Sequence, residues 1–279
     1  MISLTYAGWD VDLLPALGGA VAALRRGGAD IFRPTAPGAD HPLLTACFPL
    51  VPYANRIADG RFAVDGEHYA LPRNVEGQDH PLHGVGWLVP WTIDEANDRH
   101  ATLRHDHAGD VHWPWAYAAT QSFMLDDDGL RVTLSVTNHD ARAMPVSLGF
   151  HPYFMRGPVT TVRFAADGLW LVDAGLLPTE QVAADRLGDW AGGDTPDRAT
   201  LIDNSYTGWS GEAIIGRADG DLRLAGGGTP FLHLFMPPGE DFFCVEPVTA
   251  MPDGLNRAAP VLLAPGESRT IAMSVTAAG

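Results

Sequence analysis

Leu130-Arg131-Val132-Thr133-Leu134-Ser135-Val136-Thr137-Asn138 alternates apolar and polar residues from Val132 to Thr137 without a break. Such alternation places Val132, Leu134 and Val136 on one face and Thr133, Ser135 and Thr137 on the other, as in a half-buried strand. Just before it, Asp126-Asp127-Asp128-Gly129 supplies a turn, and residues 116–125 supply a second strand-like run. Together they predict an antiparallel hairpin.

The same grammar extends in both directions. Upstream, residues 2–6, 11–14, 20–24 and 30–32 read as short strands, with Gly18-Gly19 and Gly27-Gly28 at the connections. Residues 62–71 read as strand–turn–strand around Asp65-Gly66. Downstream, residues 144–150, 159–172, 212–217, 222–224, 231–235, 242–248 and 268–276 continue the pattern. Residues 180–190 are the one stretch with the composition of a short helix. With 31 glycines and 22 prolines in 279 residues, turns are frequent. We expect an all-β fold and one domain over residues 1–279, without repeats or linkers.

Composition removes several classes of function. A formal net charge of -16 disfavours nucleic acid and anionic membrane as partners. All 18 basic residues are arginine. Without lysine there is no Schiff-base chemistry and no P-loop. Cys47 and Cys244 lack the spacing of a metal or redox pair, and two half-buried thiols without a disulfide are expected. The first ten residues do not read as a signal peptide, and no apolar window reaches membrane-spanning length, so a cytoplasmic protein is expected.

Candidate functional residues stand where local rules are broken. In Phe242-Phe243-Cys244-Val245-Glu246-Pro247, a carboxylate closes a nearly apolar strand. Burying it costs several kcal/mol unless it is paired or protonated, so it is either a buried ion pair or a functional group. In Gly149-Phe150-His151-Pro152-Tyr153-Phe154, alternation puts Gly149, His151 and Tyr153 on one face, so His151 projects toward a concavity with an aromatic wall. In Phe48-Pro49-Leu50-Val51-Pro52-Tyr53-Ala54-Asn55-Arg56-Ile57, the prolines forbid a helix and favour an extended rim that presents Asn55 and Arg56. Arg56 is then either a solvated charge or a binder of a polyhydroxylated ligand.

His83, next to Gly84, has a neighbour that permits close backbone or ligand approach, whereas His80 reads as structural. Asp203, near Asn204, Tyr206 and Trp209, either caps a turn or accepts hydrogen bonds from sugar hydroxyls. His105, His107 and His112, with Asp110, resemble a partial metal pattern; an exposed polar loop is the preferred reading.

These motifs, in this order, resemble the aldose 1-epimerases (galactose mutarotases) from end to end. Pro52-Tyr53-Ala54-Asn55-Arg56-Ile57 with Gly60 and Phe62, Leu82-His83-Gly84, Gly149–Phe154, Leu201-Ile202-Asp203-Asn204 and Glu246-Pro247-Val248-Thr249 carry the likeness. The resemblance implies a β-supersandwich with an open carbohydrate-binding cleft and no metal or organic cofactor. It implies Glu246 as general base on the anomeric hydroxyl and His151 as general acid at the ring oxygen, with His83 near both. Arg56, Asn55, Asp203 and Trp209 would bind sugar hydroxyls. The implied partner is a free aldose such as galactose or glucose, on a monomer or homodimer. A phosphorylated hexose, or sugar binding without catalysis, is the alternative.

Overall fold

In the computed structural model, which describes residues 1–278, the alternating run becomes the strand Gly129–Asn138 inside an eight-stranded sheet. Tyr117–Leu125 and Ser268–Ala277 flank it, both antiparallel. The sheet continues to His100–His107 and Thr92–Ala96 on one side, and to Leu222–Gly227, Glu212–Gly216 and Thr161–Phe164 on the other. A second antiparallel sheet runs through Pro178–Val182, Gly168–Val172, Ile202–Thr207, Phe231–Met236, Phe242–Val248, Gly149–Phe150 and Pro49–Leu50, and Tyr153–Met155 also pairs with Phe242–Val248. One continuous hydrophobic cluster takes Val132, Leu134, Leu224 and Ile271 from the first sheet and Leu232, Leu234, Phe243 and Val245 from the second. The two inner faces therefore share a core, as in a sandwich. Each fully buried side chain of this size contributes roughly 1.5–3 kcal/mol.

The second sheet is buried on both faces at its centre, and this places the site. In Phe242–Val248, Phe243 and Val245 enter the main core, while Cys244 and Val248 join a smaller cluster with Phe48, Leu50, Trp87 and Tyr153. The same parity sends Leu232, Leu234 and Met236 to the main core and leaves His233 on the opposite face. In Ile202–Thr207 it sends Ile202 and Tyr206 inward and leaves Asp203 and Ser205 opposite. Register makes Ser205 the direct partner of His233, and His233 that of Glu246. Three neighbouring strands thus carry one buried polar row.

Four local expectations change. Residues 180–190 do not form a helix: Pro178–Val182 is an edge strand paired with Gly168–Val172, followed by a 3₁₀ turn at Ala184–Leu187. Leu169 and Trp170 oppose Val182 and Gln181 there, so pairing overrides the weak local preference for a short helix, whose nucleation is costly. Beyond Ala29–Asp30, residues 31–32 give only an isolated bridge, between Phe32 and Phe154. His105 does not lie in an exposed loop; it is buried near the end of the strand His100–His107. Both cysteines are free and fully buried rather than half-buried. Among the described residues, no helix is long and apolar enough to cross a membrane.

Candidate active site

The extended segment with Pro49 and Pro52 runs beside the second sheet, with Pro49–Leu50 paired to Gly149–Phe150. At its end, Asn55 adopts a left-handed backbone (φ 61), and so does His83 (φ 58). Non-glycine residues hold this conformation only where their surroundings fix it. Here each residue fixes the other. The His83 backbone N–H donates to the Asn55 carbonyl (2.9 Å), and the Asn55 backbone N–H donates to His83 Nδ1 (3.0 Å). With Nδ1 accepting, a neutral His83 carries its hydrogen on Nε2. Burial, with the His151, Arg56 and His233 charges, lowers the His83 pKa well below the ordinary value, so the ring is neutral near neutral pH. Gly84 makes the approach possible: a Cβ there would overlap the Val51 carbonyl and the Pro52 ring.

Arg56 and Asp203 meet across 147 positions of sequence, with Nη2–Oδ2 at 3.3 Å and Nη1–Oδ1 at 3.5 Å. The Asn55 side-chain oxygen accepts from the Arg56 backbone N–H and from Nη1, at 2.9 and 3.1 Å. On its other side, Asp203 Oδ1 accepts from His233 Nε2 (2.8 Å), and Ser205 Oγ meets His233 Nδ1 at 2.8 Å. Burial alone would push Asp203 up; the His233 hydrogen bond and the Arg56 charge hold it below the usual carboxylate range. An ionised carboxylate is thereby fixed in orientation, its neighbours satisfied within the protein.

Glu246 is as buried as Asp203 but contrasts with it in its partners. It is 1% exposed, and neither carboxylate oxygen has a hydrogen-bond partner among the described residues. The His151 imidazole lies beside it, with Nε2–Oε1 at 3.4 Å. This imidazole stacks against both the Phe48 and Tyr153 rings, with centroids 4.6 and 4.7 Å away and ring planes tilted by 28° and 22°. Burial pushes Glu246 well above its ordinary range, reinforced by the Asp203 charge. Burial also lowers His151 to about 3, with the His233 charge adding to the effect. Both directions disfavour a charge-separated pair: the carboxyl group is shifted toward its protonated form and the imidazole toward its neutral one.

A cavity of about 170 Å³ is lined by Asn55, Arg56, His83, His151, Asp203 and Glu246, and also by His233, Tyr153, Phe235, Gln78, Leu43 and Leu82. Every candidate from the sequence converges there except Trp209. That indole is packed into the main core, and its N–H donates to the Glu212 carbonyl at 3.0 Å. Trp209→Ala should accordingly cost about 3–5 kcal/mol of stability and leave the KM for sugar unchanged, as denaturation and initial-rate measurements will show. His80 accepts from the Asp59 backbone N–H at 3.1 Å, a structural role. Among the described residues, His105, His107, Asp110 and His112 do not converge as metal donors, whereas His151, Cys244 and Glu246 do. His233 is the functional residue not anticipated. It interrupts the apolar run Phe231–Phe235 just as Glu246 interrupts that of its own strand, and that was the signal available.

The aldose 1-epimerase family model matches residues 12–276. The chain belongs to the aldose 1-epimerase family. The chain is 36% identical over 245 residues to the uncharacterized protein YphB of Escherichia coli K12, covering 82% of this chain and 83% of that one. The crystal structure of a putative aldose 1-epimerase from Escherichia coli K12 superposes with a TM-score of 0.91 at 32% identity, over 99% of this chain and 98% of that one. Rat galactose mutarotase is 35% identical over 144 residues, 47% of this chain and 40% of that protein. Aldose 1-epimerases are isomerases acting on carbohydrates, and the two-sheet architecture is the β-supersandwich that the sequence motifs imply.

Proposed function

We propose that the cavity interconverts the α and β anomers of a free aldose by ring opening and reclosure. The observation that carries this reading is the unpartnered Glu246 carboxyl group, 3.4 Å from His151 at a buried cavity wall. Ring opening requires one proton to leave the anomeric hydroxyl and one to reach the ring oxygen. A pair that holds one proton and one empty site meets both needs without net uptake or release. With Glu246 as base, the anomeric O–H transfers its proton to the carboxylate while His151 protonates the ring oxygen and the C1–O5 bond breaks. Rotation about C1–C2 then exposes the other face of the aldehyde, and reclosure with exchanged roles gives the other anomer.

From the protein's own groups alone, the pKa directions favour the proton on Glu246, opposite to that assignment. A sugar hydroxyl donating to the carboxylate stabilises its ionised form and moves the proton toward His151. His83 Nε2–H then points a donor at the same oxygens, while Arg56, Asn55 and Asp203 read the remaining hydroxyls. The lining favours a free sugar over a phosphorylated one. Its one permanent cation, Arg56, is engaged by Asp203, and two carboxyl groups face the cavity.

Polarimetry on freshly dissolved α-galactose, α-glucose and α-arabinose tests the proposal. Relaxation to anomeric equilibrium should accelerate with protein concentration for at least one of them. Saturable binding in calorimetry with unchanged relaxation across the panel would instead establish a carbohydrate-binding protein without catalysis.

A further inference from the structure

We propose that His151, Glu246 and Cys244 form a binding site for a thiophilic divalent cation, zinc above all, whose occupancy switches off sugar turnover. The inhibitory consequence rests on the function proposed above; the metal site itself does not. A His151 ring nitrogen, Cys244 Sγ and a Glu246 carboxylate oxygen all lie within 4.8 Å of one another. In a tetrahedral zinc site, with metal–nitrogen and metal–oxygen bonds of about 2.0–2.2 Å, neighbouring nitrogen and oxygen ligands are separated by about 3.4 Å. His151 Nε2 and Glu246 Oε1 are 3.4 Å apart.

The donors are also uncommitted. Among the described residues neither Glu246 oxygen has a hydrogen-bond partner, and the Cys244 thiol is free and wholly buried. Cys244 and Glu246 are two residues apart on one strand, so they share a face. The flanking Phe48 and Tyr153 rings hold the imidazole in place, which limits the ordering needed on binding. One nitrogen, one sulfur and one oxygen suit zinc, whereas magnesium and calcium take oxygen ligands. Three protein ligands leave a fourth position for water. Binding releases the thiol proton and the proton held by the His151–Glu246 pair to solvent, with no change of oxidation state. The metal occupies the lone pairs that the sugar's protons need, so cation and sugar exclude one another.

Cobalt(II) and zinc(II) as chlorides provide the test on the intact protein. Cobalt should give a thiolate-to-metal charge-transfer band at one equivalent, and zinc should abolish it by displacement. In polarimetry, zinc should inhibit competitively with sugar. Cys244→Ala should remove the band and weaken zinc inhibition by more than the roughly 10- to 100-fold typical of losing an outer-shell partner. Cys244→Ser, closer in size, serves if alanine leaves a destabilising hole. Cys47→Ala, outside the converging set, should change neither readout. Absence of a thiolate band in the wild type, or its loss in Cys47→Ala rather than Cys244→Ala, overturns the assignment. A cobalt thiolate band without mutarotation would sink the proposed function and leave the metal site standing. Mutarotation without the band would do the reverse.

Discussion

Glu246→Gln should lower the catalysed mutarotation rate by about 10²- to 10⁴-fold, the usual contribution of one acid–base group, while calorimetry still detects sugar binding. The variant should also be more stable than the wild type, by a margin that grows with pH. Unfolded, a glutamate titrates near 4.5 and a histidine near 6.5; folded, burial pushes Glu246 up and His151 down to about 3. Between 4.5 and 6.5 the unfolded pair carries one proton, on the histidine, and the folded pair also carries one, so stability is flat with respect to this pair. Above 6.5 the unfolded pair loses its proton while Glu246 keeps one in the folded state, and stability falls as pH rises. Below 4.5 the unfolded pair gains a second proton that folded His151 resists until about pH 3, and stability falls as pH drops. Glutamine removes the alkaline arm. Its gain in melting temperature over wild type should therefore be larger near pH 8 than near pH 5. A gain that shrinks with pH would show that Glu246 is ionised and satisfied in the resting protein.

A loss of stability as large as that of any core truncation should come from Asp203→Asn. The change is nearly isosteric, so it tests charge rather than volume. It leaves the Arg56 guanidinium, 8% exposed, without its carboxylate, and it replaces one of the two oxygens that serve Arg56 and His233 with an NH2 donor. Removing one member of a buried ion pair costs about 3–5 kcal/mol, because the other charge remains buried and alone. Urea denaturation should show that loss, and Asp203→Asn combined with Arg56→Met should recover part of it. A loss under about 1 kcal/mol for the single variant would mean that water already screens the pair. Sugar affinity should fall in both variants, since Arg56 and Asp203 line the cavity.

The fold was legible from Val132, Leu134 and Val136 because alternation is a local consequence of strand geometry, and the same parity located Glu246 on the face opposite Phe243 and Val245. His233 obeys that parity equally, yet it drew less notice because an imidazole among leucines is a milder violation than a carboxylate. Trp209 shows where parity stops carrying information. The strand ends at Thr207, and Gly208, with φ 63, turns the chain before the indole. Proximity in sequence to Asp203 and Asn204 thus said nothing about direction. The edge strand Pro178–Val182 was illegible for a related reason. Its partner, Gly168–Val172, decides its conformation, and pairing is not written in either segment alone. The clasp between Asn55 and His83 also depends on two turns meeting in space. The family motifs marked both residues but not the bonds between them.

The polar row and its rim draw on residues as distant as Asn55 and Glu246, each delivered by a different strand or turn. No local unit holds even two of the three groups His83, His151 and Glu246. Loop closure over such separations must be complete before any of them meet. Activity in this chain is consequently an all-or-none property of the finished sandwich. A form in which either the Phe242–Val248 strand or the segment 149–155 is undocked lacks one member of the His151–Glu246 pair.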